Sequence, residues 1–148
     1  MEIVYLGAEV PSNRVLLDTT TATDVGVSFW RLMKRGLPKK SPYLLKNYFN
    51  EHLYIYVYPG IPKDANLSRE ELEEFAAEYE SFIANNIDSI TLFTEIVADP
   101  EFVEQQRKTV WNQVPPGRFL PVWNHELGLP ELNNLANRYL DIGIPGEA

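Results

Sequence analysis

A cadence constrains this chain more than any single residue does: short runs rich in β-branched and aromatic residues return along its length, and most of the stretches between them carry helical signals. EIVYL at 2–6, DVGVSFW at 24–30, LYIYVY at 53–58, SITLF at 89–93, FLPVW at 119–123 and DIGI at 141–144 each read as a strand. LYIYVY is the strongest of them, continuous in the manner of a strand buried on both faces, and Pro59-Gly60 ends it. Pro121 inside FLPVW argues against a regular central ladder there, because proline has no N–H to donate.

The intervening helices are read from caps and periodicity. Pro11 suits a first turn, and Val15, Leu16 and Leu17 give the segment to Asp18 an apolar face. Ser68 and Glu71 form a capping box, after which Leu72, Phe75, Ala76, Tyr79, Phe82 and Ile83 recur at intervals of three and four and make one stripe. Glu70, Glu73, Glu74 and Glu78 then face away from that stripe and read as solvated surface, not as a carboxylate site. Asp99-Pro100 supplies an N-cap and an N1 proline for a helix to about Asn112, Pro115-Pro116-Gly117 breaks the chain, and Leu132, Leu135, Ala136 and Tyr139 form a last helical face behind Pro130.

Strands alternating with helices require crossover connections, so the fold class is α/β with a parallel sheet. Two architectures compete. An open doubly wound sheet suits 148 residues, but the first strand–helix turn, LGAEVPSNR, lacks a glycine-rich phosphate fingerprint. A partial or degenerate (β/α) barrel explains the cadence, although a closed barrel typically runs to about 250 residues. The chain is read as one α/β domain, 1–148, with the N-terminal part of a longer barrel as a second reading of the same residues. Either way a sheet that stops early leaves an edge strand whose backbone groups need cover, by association, by a terminal segment or by an open arrangement.

Composition narrows the function classes. The chain has no cysteine, which removes disulfides and thiolate metal sites and fits a reducing, cytoplasmic setting. No basic leader precedes the first apolar residues, and no apolar run approaches the roughly 18 residues of a membrane helix, so no membrane association is expected. A net charge of −8 disfavours nonspecific attraction to polyanions. The positive charges nevertheless cluster: Arg31, Lys34, Arg35, Lys39, Lys40 and Lys46 fall in one stretch with Trp30, Tyr43 and Tyr48 interleaved. Such a stretch holds phosphates and stacks bases in nucleic-acid proteins, and elsewhere it is simply a solvated connection.

From Leu53 to Gly146 the order YIYVYPG, helix, LFTEIVADPE, LPVWNHELG, YLDIGIPG resembles the barrel core of the tRNA-guanine transglycosylase family, which includes phage and bacterial enzymes that insert 7-deazaguanine bases into DNA. The resemblance implies a TIM-barrel site at the C-terminal ends of the strands, recognising a nucleobase and engaging tRNA or DNA. Where that family ends its third strand in Asp-Ser-Gly, with the aspartate in acid–base chemistry, this chain has Tyr58-Pro59-Gly60. A phenol with a pKa near 10 is no carboxylate base at neutral pH, so base exchange by that route is impaired. Glu95 takes the place of a base-binding aspartate, and its other reading is a solvent-facing glutamate at a strand end. Asn124 and His125 follow the fifth run, where the related barrels present polar groups to the base, and Gly143 and Gly146 match a glycine-rich strand end that lets backbone approach a flat ring.

No metal set is read, since His125 stands without spaced carboxylates or cysteines, and no cofactor motif is present. The family's second, nucleophilic aspartate and its Cys/His zinc motif have no counterpart here. Asp141 lies at the start of its strand, the wrong end for a nucleophile. Two classes of function follow. One is a base-exchange glycosyltransferase or its nucleobase-recognition remnant, with Tyr58, Gly60, Glu95, Asn124, His125, Gly143 and Gly146 around the base and Arg31, Lys34, Arg35, Lys39 and Lys40 on phosphates. The other is a noncatalytic domain that binds a protein partner or another copy of itself. On the first reading Tyr58, Glu95, Asn124 and Gly143 gather at the C-terminal side of one sheet.

Overall fold

The computed structural model describes residues 4–19, 21, 23–36, 43–50 and 53–144. The chain is α/β, with parallel strands alternating with helices, and it divides into two compact units, Met1–Thr91 and Leu92–Ala148.

The first unit carries β1 (Tyr5–Leu6), α1 (Pro11–Asp18), β2 (Asp24–Ser28), α2 (Phe29–Lys34), β3 (Tyr54–Tyr58) and α3 (Arg69–Asn86). Each strand lies parallel to its successor: Tyr5 and Leu6 pair with Val25 and Gly26, and Asp24 to Ser28 run in register with Tyr54 to Tyr58. This successive order has no reversal of the kind that defines a doubly wound crevice. A Cβ on Gly26 would meet Leu6 Cδ2 at 2.5 Å, so a larger residue there would make the exposed Leu6 side chain move aside.

Two details depart from the sequence expectations. The second strand stops at Ser28, whose hydroxyl accepts the Arg31 N–H and starts α2 at Phe29, so Phe29 and Trp30 are helical. The strand buried on both faces is β2, whereas β3 alternates: Ile55 and Val57 enter the core and Tyr54, Tyr56 and Tyr58 lie on the other face with partial exposure. A tyrosine suits such a position because its ring packs while its hydroxyl finds a polar partner, as when Tyr56 donates to Asp24 Oδ1 at 3.1 Å.

The α3 stripe supplies the lid of this core. Its capping box is formed, with Ser68 accepting the Glu71 N–H and Glu71 accepting the Ser68 N–H. Phe75, Tyr79 and Phe82 bring their ring centroids to 5.4, 5.3 and 5.1 Å from that of Phe29. At the end of α3 the buried Asn86 holds the preceding chain: it donates to the carbonyls of Tyr43 and Phe82 and accepts the Leu45 N–H.

The second unit carries β4 (Leu92–Thr94), α4 (Pro100–Thr109), β5 (Phe119–Leu120) and α5 (Gly128–Arg138). Phe93 and Thr94 pair in parallel with Phe119 and Leu120. The fourth expected run begins later than SITLF, since Ile87–Ser89 is a 3₁₀ turn, and the last run, 141–144, contributes one parallel bridge, Val122 to Gly143. Pro121 explains the gap between β5 and that bridge: it lacks an N–H, yet its carbonyl accepts from Gly143 N, and Trp123 N donates back to Gly143 O, each at 2.8 Å. Asp99 caps α4 by accepting the Phe102 N–H. Phe93, Trp111 and Phe119 form the aromatic centre of this unit, with centroids 4.8 to 5.7 Å apart.

Candidate functional site

In parallel α/β folds, ligands gather where strands end at their carboxyl side, and each unit places polar groups there.

In the first unit the ends of β1, β2 and β3 bring Glu9, Ser28 and Tyr58 together. Gly7, at φ 82°, turns the chain out of β1, and Ala8 N still reaches Gly26 O, which fixes Glu9 beside the end of β2. The Glu9 side chain is fully buried; its carboxylate accepts the Ser28 N–H at 3.2 Å and lies 3.5 Å from Arg31 Nη1. Arg31 is itself 60% exposed, so this ion pair is half in solvent and contributes little stability of its own. Burial, and after it the charge of Glu9, raises the Tyr58 pKa, while Arg31 pulls the other way. The phenol therefore stays protonated at neutral pH and is available as a donor. Gly60, at φ 69°, closes this corner: a Cβ there would come within 2.1 Å of Ser28 Oγ.

The basic stretch is only partly within the described residues. Arg31, Lys34 and Arg35 are exposed at α2 and its end, and Lys34 Nζ sits 4.7 Å from the centroid of the Trp30 ring. Tyr43 and Tyr48 stack on each other at 4.4 Å, with the Arg14 guanidinium 4.9 Å from the Tyr48 centroid. Lys39, Lys40 and Gly146 lie outside the described residues.

In the second unit Glu95 directly follows β4, yet it does not face solvent. It is 2% exposed, and its carboxylate receives Arg107 Nε at 2.8 Å, Arg107 Nη2, and the Val122 N–H at 2.8 Å. Arg107, on α4, also donates through Nη1 to Glu131 of α5 at 3.1 Å. Burial by itself would lower the Arg107 pKa; the hydrogen bonds and charges of Glu95 and Glu131 outweigh it and hold the guanidinium above its ordinary value. This Glu95–Arg107–Glu131 set ties the end of β4 to α4, α5 and the Val122 backbone. Its geometry is that of a structural ion pair, with both Glu95 oxygens engaged by protein donors.

Gly143 adjoins this set through its bridge to Val122, and a Cβ on it would lie 3.3 Å from Val122 Cγ2. Asn124 spends its side-chain oxygen on the Glu126 N–H, starting the turn His125–Leu127, and His125 is exposed. Among the described residues no group of three or more His, Asp or Glu is placed to hold a metal ion, and no helix is long and apolar enough to cross a membrane.

Glu9 and Arg107 are the residues that the sequence reading did not single out. Glu9 had one usable signal, an acid placed just beyond the glycine that closes the first strand. Arg107 had none, because an arginine within a helical run of charged residues looks like any solvated face. No family model, curated protein or solved structure matches the chain.

Proposed function

We propose that the chain is a recognition domain for a planar, hydrogen-bonding ligand of the nucleobase class, bound at the carboxyl ends of β1, β2 and β3, and that it does not exchange bases. The reading rests on the buried carboxylate of Glu9, held at a strand end beside a protonated phenol and behind an exposed arginine. With Arg31 moved outward, the Glu9 oxygen that it covers is freed to accept from an edge that offers N–H donors, as guanine and 7-deazaguanine do, while Ser28 N–H keeps the other oxygen in place. Tyr58 adds a donor and a ring, and Arg31 can swing outward at small cost to meet a phosphate. The transglycosylase resemblance supports the same ligand class. Exchange chemistry is not supported, because a protonated Tyr58 occupies the position of the family's aspartate and the Glu95 oxygens are engaged by Arg107 and Val122.

Saturation-transfer NMR with 7-deazaguanine tests this proposal. Binding tighter than about 1 mM is expected for the intact chain, with loss of signal in Glu9→Gln and weakening in Tyr58→Phe, both checked for an unchanged near-UV spectrum. Labelled base should not enter tRNA or duplex DNA. Absence of binding, or equal binding by Glu9→Gln, would overturn the reading.

A second reading, a noncatalytic domain that docks on a protein, draws on Leu6, Val15 and Leu16, which are 66, 65 and 63% exposed on β1 and α1. Val15→Asp with Leu16→Asp should abolish that docking without unfolding the chain.

A further inference from the structure

The Glu9 carboxylate is covered, and its cover is a cation. Ser28 N–H engages one oxygen, and Arg31 Nη1 lies 3.5 Å from the other. The two members of this pair are held very differently. Glu9 is fully buried and cannot turn to water, whereas the Arg31 side chain is mostly in solvent and can take another rotamer there. A group that reaches Glu9 must therefore replace Arg31 on it, and the displaced guanidinium needs an anion of its own.

Lys34 and Arg35 mark where that anion would sit. They follow Arg31 by three and four residues, so the three side chains share one face of α2 and its end, with about 6 Å of rise from Arg31 to Arg35. Both are exposed, and among the described residues neither has an ion pair; Lys34 lies over the Trp30 ring. Two cations without a counter-charge, set beside a third that is weakly paired, stand out in a chain of net charge −8.

We infer that this corner selects a nucleotide over a free base or a nucleoside: the base takes the place of Arg31 on Glu9, and its phosphate receives Arg31, with Lys34 and Arg35 alongside. This rests on the nucleobase reading of the same corner. An exchange of partners sets the preference. Glu9 loses a cation and gains the N–H donors of a guanine edge; Arg31 loses a long contact and gains a phosphate that its planar fork can grip with paired, charge-assisted hydrogen bonds. A nucleoside supplies only the first half of the exchange. Inorganic phosphate supplies only the second and leaves a buried carboxylate uncovered. The ligand is a mononucleotide and not a strand, because the negative charge of the chain as a whole opposes a polyanion.

Isothermal titration of the full chain with guanosine, guanosine monophosphate, inorganic phosphate and a short guanine-containing single strand of DNA tests this. The monophosphate should bind at least about tenfold tighter than guanosine, and high salt should shrink that advantage while leaving guanosine binding unchanged. Inorganic phosphate and the strand should each bind more weakly than the monophosphate. Arg31→Gln should bring the monophosphate and guanosine to within about twofold of each other and should bind guanosine no worse than the native chain, because the cover is gone. An arginine with a purely structural role would weaken both ligands alike when replaced. Arg35→Gln, at an exposed position, should keep the fold and lose part of the advantage. Equal binding of guanosine and the monophosphate, inorganic phosphate or the strand binding as tightly as the monophosphate, or an advantage that survives Arg31→Gln combined with Arg35→Gln would each overturn the inference. Failure of guanosine and the monophosphate alike to bind, or binding of both that is indifferent to Glu9→Gln, would overturn the nucleobase reading beneath it.

Discussion

Replacing Arg107 with methionine keeps most of the side-chain volume and removes the charge that Glu95 was built around. In the native chain Glu95 is 2% exposed and receives two guanidinium donors and the Val122 N–H. The substitution leaves a buried carboxylate with the Val122 amide as its remaining donor from this set. Breaking a buried pair in this way costs about 3–5 kcal/mol, most of it the penalty of an uncompensated charge. For a chain of this size that is on the order of a 10 °C fall in Tm. Glu131→Gln should cost under about 1 kcal/mol, because that carboxylate is partly exposed and makes a single contact with Arg107. Glu95→Met combined with Arg107→Met should recover most of the loss, since two apolar groups of similar size can replace a buried pair without penalty. Urea unfolding measures the three variants, and amide exchange at Val122 reports on the same site locally. A loss under about 1 kcal/mol in Arg107→Met, or a double variant no better than the single, would show that the carboxylate does not depend on its arginine.

Three other perturbations follow from the same structure. Asn86→Ala removes two hydrogen bonds between α3 and the 43–45 segment and one to Phe82 O within α3, and should cost about 2–4 kcal/mol in denaturant unfolding; a loss under about 0.5 would refute the latch. Gly60→Ala forces a side chain into a left-handed conformation against Ser28 Oγ and should destabilise by about 2 kcal/mol or more, where an ordinary exposed loop glycine would show about half that. Burial raises the pKa of both Tyr43 and Tyr58, so the folded state disfavours their anions: stability is fully present below about pH 10, the unfolded phenol value, and falls as pH rises past it. Thermal melts from about pH 8.5 to 11 should show that fall, and a Tyr58→Phe chain should show a shallower one; a flat profile would count against buried phenols.

What could be read from the sequence was what nearby residues decide among themselves. The Ser68–Glu71 box, the Asp99-Pro100 start and the Pro11 start fall where the structure has them, because a cap is a contract between residues three apart. The end of β2 was not legible in the same way. Phe29 and Trp30 continue an apolar run, and apolarity alone does not separate a buried strand from the first turn of a buried helix; the Ser28 hydroxyl decides it. The polar sites depended still more on distance. Arg107 meets partners 12 and 24 residues away, and Glu9 meets an amide 19 residues away, so neither pairing leaves a local pattern. Glu95 stood out because it follows a strand, and strand ends hold ligands in many α/β proteins. The same position also lies within reach of the following helix, which is how Arg107 comes to engage it.

Gln106 shows another use of that helix. Its side-chain amide donates to Ile96 O at 2.9 Å and accepts Ile96 N–H at 3.2 Å, the pair of bonds that a neighbouring strand would have made. One glutamine thus imitates a strand for the length of one residue. The backbone just past β4 is thereby closed to an extended peptide adding itself there, and protection against amyloid-like pairing at this point comes from within the chain, carried by a side chain of α4.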